Sequence, residues 1–326
     1  MAFRLLGVGG PLLDLLLPVD EAFLSEWVPG AKGGMEPVTG DWIDALLAAS
    51  PRKPLIRPGG SAGNTVFALN QLGVDAALWG KLGNDARGGV YRDFCRRYGV
   101  DTSELLTGDF APTGCCLSLI TPDAERTMRS ALGISLEVTL PELARVDFSY
   151  RDAVLIEGYM AYSRIFPELL RRASASGCYV ALDLASFEVV KHFYCQLTEL
   201  LRYVDLVLAN AAEMAALTGV ADPASALAEL KTTFDGDVVI KLGADGVLAD
   251  IGKTVLTAPA EPVTDVVDTT AAGDLWSAGY FYGVSCKLSA ASCLRWGARC
   301  AAEVIRQPGS LLPPEAIDRL RKIKEG

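Results

Sequence analysis

The chain has 326 residues, half of them apolar, with 32 glycines and an ordinary aromatic share; this is the composition of a folded protein with a sizeable core and excludes a disordered one. A formal net charge of −10, with no Lys/Arg-rich run to reverse it locally, excludes a nucleic-acid surface and favours small-molecule partners. Eight cysteines without C-x-x-C pairs or zinc spacing fit buried free thiols in a reducing, cytoplasmic setting, and the single histidine, His192, removes histidine-based triads and multi-histidine metal sites.

From the N-terminus, no long apolar h-region opens the chain and no later stretch has the apolar length of a membrane span. Residues 3–8 read as a buried strand that runs into Gly7-Val8-Gly9-Gly10. Residues 11–57 are rich in Pro and Gly. Val66, Leu69 and Leu72 then share a helical face that Gly73 closes, and a strand follows at 76–79. Within 109–135 two short strands, 114–120 and 126–130, flank the turn Thr121-Pro122-Asp123-Ala124. Further strands are expected at 153–156, 179–182, 204–208 and 238–242, with a helix around Leu169, Leu170 and Ala173 stopped by Gly177. A β-branched strand ends at Asp268, a helix follows from 275 to 282, and an exposed, charged helix covers 317–324. This alternation predicts an α/β fold: a doubly wound, mostly parallel sheet with helices on both faces and ligands at the strands' carboxyl ends. Parts of 11–57 and 109–135 form a small β-sheet lid on a single domain, 1–326.

The most informative run is Asp268-Thr-Thr-Ala-Ala-Gly-Asp274. Small residues fill a tight turn and Asp274 arrives as a helix begins, which places unpaired amides and a carboxylate together: a seat for a phosphate beside a base. The alternative is an ordinary helix start in which Asp suits the dipole. Gly59-Gly60-Ser61-Ala62-Gly63-Asn64 opens the helix around Val66; its glycines permit close approach of a ligand, or merely tight packing. Asn210-Ala-Ala-Glu213 is a capping-box pattern, and at a strand's carboxyl end it could also organise Mg²⁺ through water. Gly246 to Thr254 has the wrong glycine spacing for a Walker A loop, and Gly7 to Gly10 lacks the third small residue of a dinucleotide fingerprint at Leu12.

Taken in order, these motifs resemble those of the ribokinase-like (PfkB) family of carbohydrate and nucleoside kinases, over residues 3 to about 316. Residues 268–274 resemble its second signature, D-T-x-G-A-G-D; Gly59-Gly60 with Asn64 its first; Asn210-x-x-Glu213 its N-x-x-E motif; and Lys241-Leu-Gly243-Ala-Asp-Gly246 its strand and loop beside the nucleotide. Pro11 to Asp14, Pro112-Thr113-Gly114 and Glu125 to Met128 are similar to the adenosine kinase branch. The resemblance implies an ATP- and Mg²⁺-dependent kinase acting on the primary hydroxyl of a nucleoside, adenosine favoured, or of a sugar. Asp274 is then the general base, and the amides of Ala271, Ala272 and Gly273 hold the transferring phosphoryl group. Asp14, Gly59, Gly60 and Asn64 grip the sugar, Tyr159 and Phe187 flank the acceptor, and Arg126 meets phosphate charge from the lid. Asn210 and Glu213 place Mg²⁺; Lys241, Gly243, Gly246 and Ala301 line the ATP site; and K⁺ binds near Asp268 and Thr270. Ala271 stands where the family has Gly, a change that is tolerated where its φ is negative, and Gly10 stands where adenosine kinases have Asn. The rivals are a sugar kinase for ribose, fructose or a sugar acid, a nicotinamide-dependent oxidoreductase, and a silent binding protein; the enzyme is expected to be a monomer or homodimer.

Overall fold

The computed structural model describes residues 3–28, 32–123 and 125–323. Among the described residues fourteen strands form two sheets. In chain order they are β1 (Arg4–Val8), β2 (Leu12–Pro18), β3 (Met35–Pro37), β4 (Leu55–Gly59), β5 (Asp75–Gly83), β6 (Leu105–Gly108) and β7 (Thr113–Ile120). The rest are β8 (Arg126–Gly133), β9 (Ala153–Glu157), β10 (Tyr179–Asp183), β11 (Leu206–Asn210), β12 (Asp237–Lys241), β13 (Val247–Ile251) and β14 (Thr254–Ala258).

The larger sheet runs β14-β13-β12-β11-β10-β9-β1-β5-β6 and is parallel from β12 to β6, with an antiparallel hairpin at one edge. Its central strands are continuous apolar runs because both faces are covered. Leu5, Leu155 and Leu206 feed the core under helices Ser61–Leu72, Ala272–Ser285 and Ala290–Val304. Their neighbours Leu6, Val154 and Val207 feed the opposite core, under Phe166–Ala175 and Ala211–Thr218. This is the doubly wound, mostly parallel architecture that the strand-helix alternation predicts. No helix of the described residues is long and apolar enough to cross a membrane.

The second sheet has the order β3-β8-β7-β2-β4. Because β1 runs through Gly9-Gly10 directly into β2, the Gly-rich turn after the first strand is a crossover between sheets and opens no helix. That removes the basis of the dinucleotide reading. In the β7–β8 hairpin Thr121 N–H donates to the Glu125 carbonyl at 3.2 Å; Ala124 of the expected turn lies outside the described residues.

Three expectations are corrected. The strand placed at 204–208 is β11, two residues later, since Leu201–Tyr203 is a 3₁₀ turn. No strand leads to Asp268: Val266 and Val267 are exposed, and the amides of Val267 and Asp268 both donate to the Ile305 carbonyl (2.7 and 3.1 Å), so the extended run finds a loop instead of a sheet edge. The C-terminal helix is Pro314–Arg321 and amphipathic, with Ala316 and Leu320 buried; Lys324 lies outside the described residues.

Candidate active site

The carboxyl ends of β9 to β12 and the N-termini of helices Ser61–Leu72 and Ala272–Ser285 meet under the second sheet. Asp274 is the third residue of its helix. Its Oδ1 accepts from Ser61 Oγ at 2.6 Å, and its Oδ2 from Asn64 Nδ2 at 2.8 Å. Burial lifts its carboxyl to about 6, against the lowering effect of those two donors. A carboxylate that titrates near neutrality while facing a crevice is suited to general-base work.

The turn ahead of this helix is unusual for its residue. Ala271 has φ 59° and ψ 9°, in the left-handed region and opposite to the negative φ expected from its side chain. The turn overrides the alanine's preference because reversing the peptide here lets successive amides face one side, an anion-binding nest. Among the described residues the N–H groups of Ala271 and Gly273 have no protein acceptor, while that of Ala272 donates to the Thr269 carbonyl at 3.2 Å. Two of the three expected amides are therefore free. A Cβ on Gly273 would stand 3.4 Å from Lys241 Nζ, so the ammonium borders the same cradle. Lys241 itself pairs with Asp183 at 2.8 Å, and the carboxylates of Asp183 and Glu213 outweigh burial to hold its charge.

Asp14 comes from β2, paired in register with Arg57 and Cys116. A Cβ on Gly59 would lie 2.6 Å from Asp14 Oδ2, and one on Gly60 (φ 90°) would lie 2.6 Å from the Gly10 carbonyl, so both glycines are required by close approach. Burial, then the charges of Asp274 and Asp268, lift Asp14 to about 7. Asn64 is 5% exposed; its Nδ2 donates to Asp274 and its buried Oδ1 has no partner.

Asn210 and Glu213 form the reciprocal capping box, with Glu213 oxygens accepting from Asn210 N–H (2.8 Å) and Nδ2 (2.7 Å). Burial and Asp183 raise Glu213 to about 7. Beside this excess negative charge, the oxygens of Asn210 and Glu213 suit a hard cation held through water. Near Asp268 and Thr270, Arg126 pairs with Asp268 Oδ2 at 2.5 Å and donates to Thr270 Oγ1, while the Asp268 oxygens also accept from the amides of Thr270 and Gly309, each at 2.7 Å.

The outlying residues divide. Tyr159 follows β9 in the 3₁₀ segment Gly158–Tyr162, and burial pushes its hydroxyl up to about 12, with Glu157 and Asp274 adding to the shift. Phe187 opens the short helix after β10 and is 40% exposed, with Lys191 over its ring. Gly243 (φ 62°) and Gly246 (φ 91°) shape the turn after β12, whereas Ala301 packs on the core beside Ile305. Sequence reasoning missed Ser61, Asp183 and Glu157. The available signal was an acid closing a buried apolar run, as in Val-Leu-Ile-Glu157 and Val-Ala-Leu-Asp183.

A doubly wound sheet whose carboxyl ends lie under a second sheet, with a carboxylate at a helix N-terminus, defines a kinase of the ribokinase-like class. The chain belongs to the pfkB family of carbohydrate kinases, whose family model matches residues 48–317. It is 28% identical to the adenosine kinase of Dictyostelium discoideum, over 95% of this chain and 96% of that one. To the ribokinase of Haemophilus influenzae it is 26% identical, over 77% and 82%. The crystal structure of adenosine kinase from Sinorhizobium meliloti superposes with a TM-score of 0.86 at 28% identity, covering 99% of both chains. The protein is thus a phosphotransferase with a hydroxyl acceptor, of the nucleoside and sugar kinase group.

Proposed function

We propose that the protein transfers the γ-phosphoryl group of ATP to the primary hydroxyl of a nucleoside, adenosine before others, with a sugar such as ribose as the second reading. The observation that carries the chemistry is Asp274, a half-buried carboxylate lifted toward neutrality, beside the free amides of Ala271 and Gly273. Asp14 and the unpartnered Asn64 Oδ1 hold the acceptor so that its hydroxyl faces Asp274. Asp274 takes the hydroxyl proton as the oxygen attacks phosphorus and the bond to ADP breaks. The two amides and Lys241 receive the charge on the phosphoryl oxygens. Mg²⁺, near Asn210 and Glu213, supplies neutralisation of the phosphate charge when bound. Arg126 exchanges Asp268 and Thr270 for phosphate when the second sheet closes. The adenosine preference draws on the adenosine kinases matched along nearly the whole chain. A coupled ADP-release screen across nucleosides and sugars tests it: kcat/KM for adenosine is expected to exceed that for ribose and fructose at least tenfold, and the reverse order transfers the assignment to a sugar kinase.

A further inference from the structure

Glu157 ends β9 as a charged residue that is 3% exposed, and nothing in the chemistry above uses it. Its two oxygens are divided between two other elements. Oε1 accepts from Gly10 N–H at 2.7 Å, and Oε2 from Ala62 N–H at 2.9 Å. The surroundings are cut to fit it: a Cβ on Gly9 would fall 2.2 Å from Glu157 Oε2. Nearby, a Cβ on Gly80 would fall 2.4 Å from the Gly9 carbonyl, so the crossover is packed from both sides.

Both bonds lead to acceptor-binding side chains. Helix Ser61–Leu72 starts at Gly60, which provides no side-chain cap. Ala62 is its second residue, and the Glu157 carboxylate supplies from 95 positions away what an Asp or Ser cap supplies locally. Ser61 and Asn64 on that first turn are the two donors to Asp274. On the other side, Gly10 is joined through Pro11 to β2, which carries Asp14. The burial of Glu157 raises its carboxyl to about 7, against the pull of the two amides, so this bracket is kept at an energetic cost.

We propose that Glu157 is a positioning residue of the phosphoryl transfer: its carboxylate caps helix Ser61–Leu72 from a distance and pins the β1–β2 crossover, setting Asp14 on one side and Ser61 and Asn64 on the other in register with Asp274. The assignment rests on the kinase reading with Asp274 as base. It differs from a packing role in what it predicts for kinetics. Both acceptor-side elements hang from Glu157, whereas the amides of Ala271 and Gly273 and the Lys241 ammonium do not touch it.

The test is steady-state kinetics on Glu157→Gln, with Glu157→Asp as the shorter carboxylate and Asp274→Asn measured in parallel. An amide oxygen satisfies one N–H and presents an NH₂ group to the other. A lost charge-assisted bond of this kind corresponds to about 10–100-fold. Acceptor KM is expected to rise by about that factor in Glu157→Gln and by less in Glu157→Asp, with ATP KM within about twofold of wild type. Should Glu157→Gln fail to fold, the same split is read from Glu157→Asp, which keeps the charge. Equal loss of acceptor and ATP affinity, or a lowered melting temperature with unchanged acceptor KM, overturns the positioning role. Normal turnover in Asp274→Asn overturns the kinase reading beneath it, so the two failures are told apart.

Discussion

Asp274→Asn separates chemistry from architecture because the hydrogen bonds around residue 274 can be kept. An asparagine there accepts from Asn64 Nδ2 through its oxygen and donates to the Ser61 hydroxyl through its amide, which rotates to receive it. The base is lost; turnover is expected to fall by about 10²–10⁴, equivalent to roughly 3–5 kcal/mol of barrier. Stability moves the other way. Asp274 is raised from 3.8 to about 6 by burial, and at about 1.4 kcal/mol per unit the ionised form costs the fold roughly 3 kcal/mol. The carboxylate lines the crevice and keeps some water, so about 1–3 kcal/mol is the working range. A raised folded value means that the favourable term is complete below the unfolded value and is lost as pH climbs through about 6. The variant should therefore melt higher than wild type near pH 8, by about 1.5 °C per kcal/mol, with the gain shrinking to nothing near pH 4. Wild-type kcat/KM should fall with unit slope below about pH 6. Rate assays with calorimetric melts across pH decide it. Near-normal phosphorylation by the variant, or a stability gain that ignores pH, refutes the reasoning.

Two further substitutions test the groups around this base. Arg126→Ala removes the guanidinium now shared by Asp268 and Thr270; kcat is expected to drop by about 10², with acceptor affinity by calorimetry changed less than about threefold, and collapse of that affinity at normal kcat rejects a role on phosphate. Glu213→Gln keeps a residue that suits the capping box while deleting the charge that burial and Asp183 press toward neutrality; the Mg²⁺ concentration for half-maximal rate should rise about tenfold at a melting temperature no lower than wild type, and a lowered melting temperature at an unchanged Mg²⁺ requirement leaves Glu213 as a cap alone.

What the sequence made legible follows from what each segment buries. β1, β5, β9, β10 and β12 lie in a sheet covered on both faces, so they appear as unbroken apolar runs. β13 and β14 went unread because their best signal is a turn: Gly252-Lys253, with φ 57° and 64°, makes a two-residue hairpin of the primed kind inside the stretch considered only as a failed phosphate loop. Val266 and Val267 misled for the converse reason. β-branching favours an extended backbone but cannot supply a neighbouring edge, and the partner turned out to be the Ile305 carbonyl. In the site, Asn210 and Glu213 were located by local capping-box spacing, and Asp274 and Asn64, although partners across 210 positions, because each sits in its own short motif of small residues at a helix start. Glu157 and Asp183 were invisible because their roles depend on amides and an ammonium brought from 58 to 147 positions away.

Ala271 is the residue where local preference and the assembled turn conflict, and the conflict is measurable. An L-residue in the left-handed region costs roughly 1–2 kcal/mol that glycine avoids, while glycine loses about 0.4–1 kcal/mol through the greater freedom of its unfolded chain. With φ at 59°, Ala271→Gly should leave the protein as stable as wild type or slightly more so, with turnover retained because the free amides of 271 and 273 keep their direction. A β-branched side chain is a genuine outlier at positive φ, so Ala271→Val should lower the melting temperature by a few degrees, about 1.5 °C per kcal/mol, and slow phosphoryl transfer by disturbing the amide pair. The order Gly at or above Ala, with Val well below, is the outcome demanded by a left-handed turn. Had the φ been negative, Ala would outrank Gly and Val would be tolerated, and melts of the three proteins showing that order would remove both the strain and the amide cradle built on it.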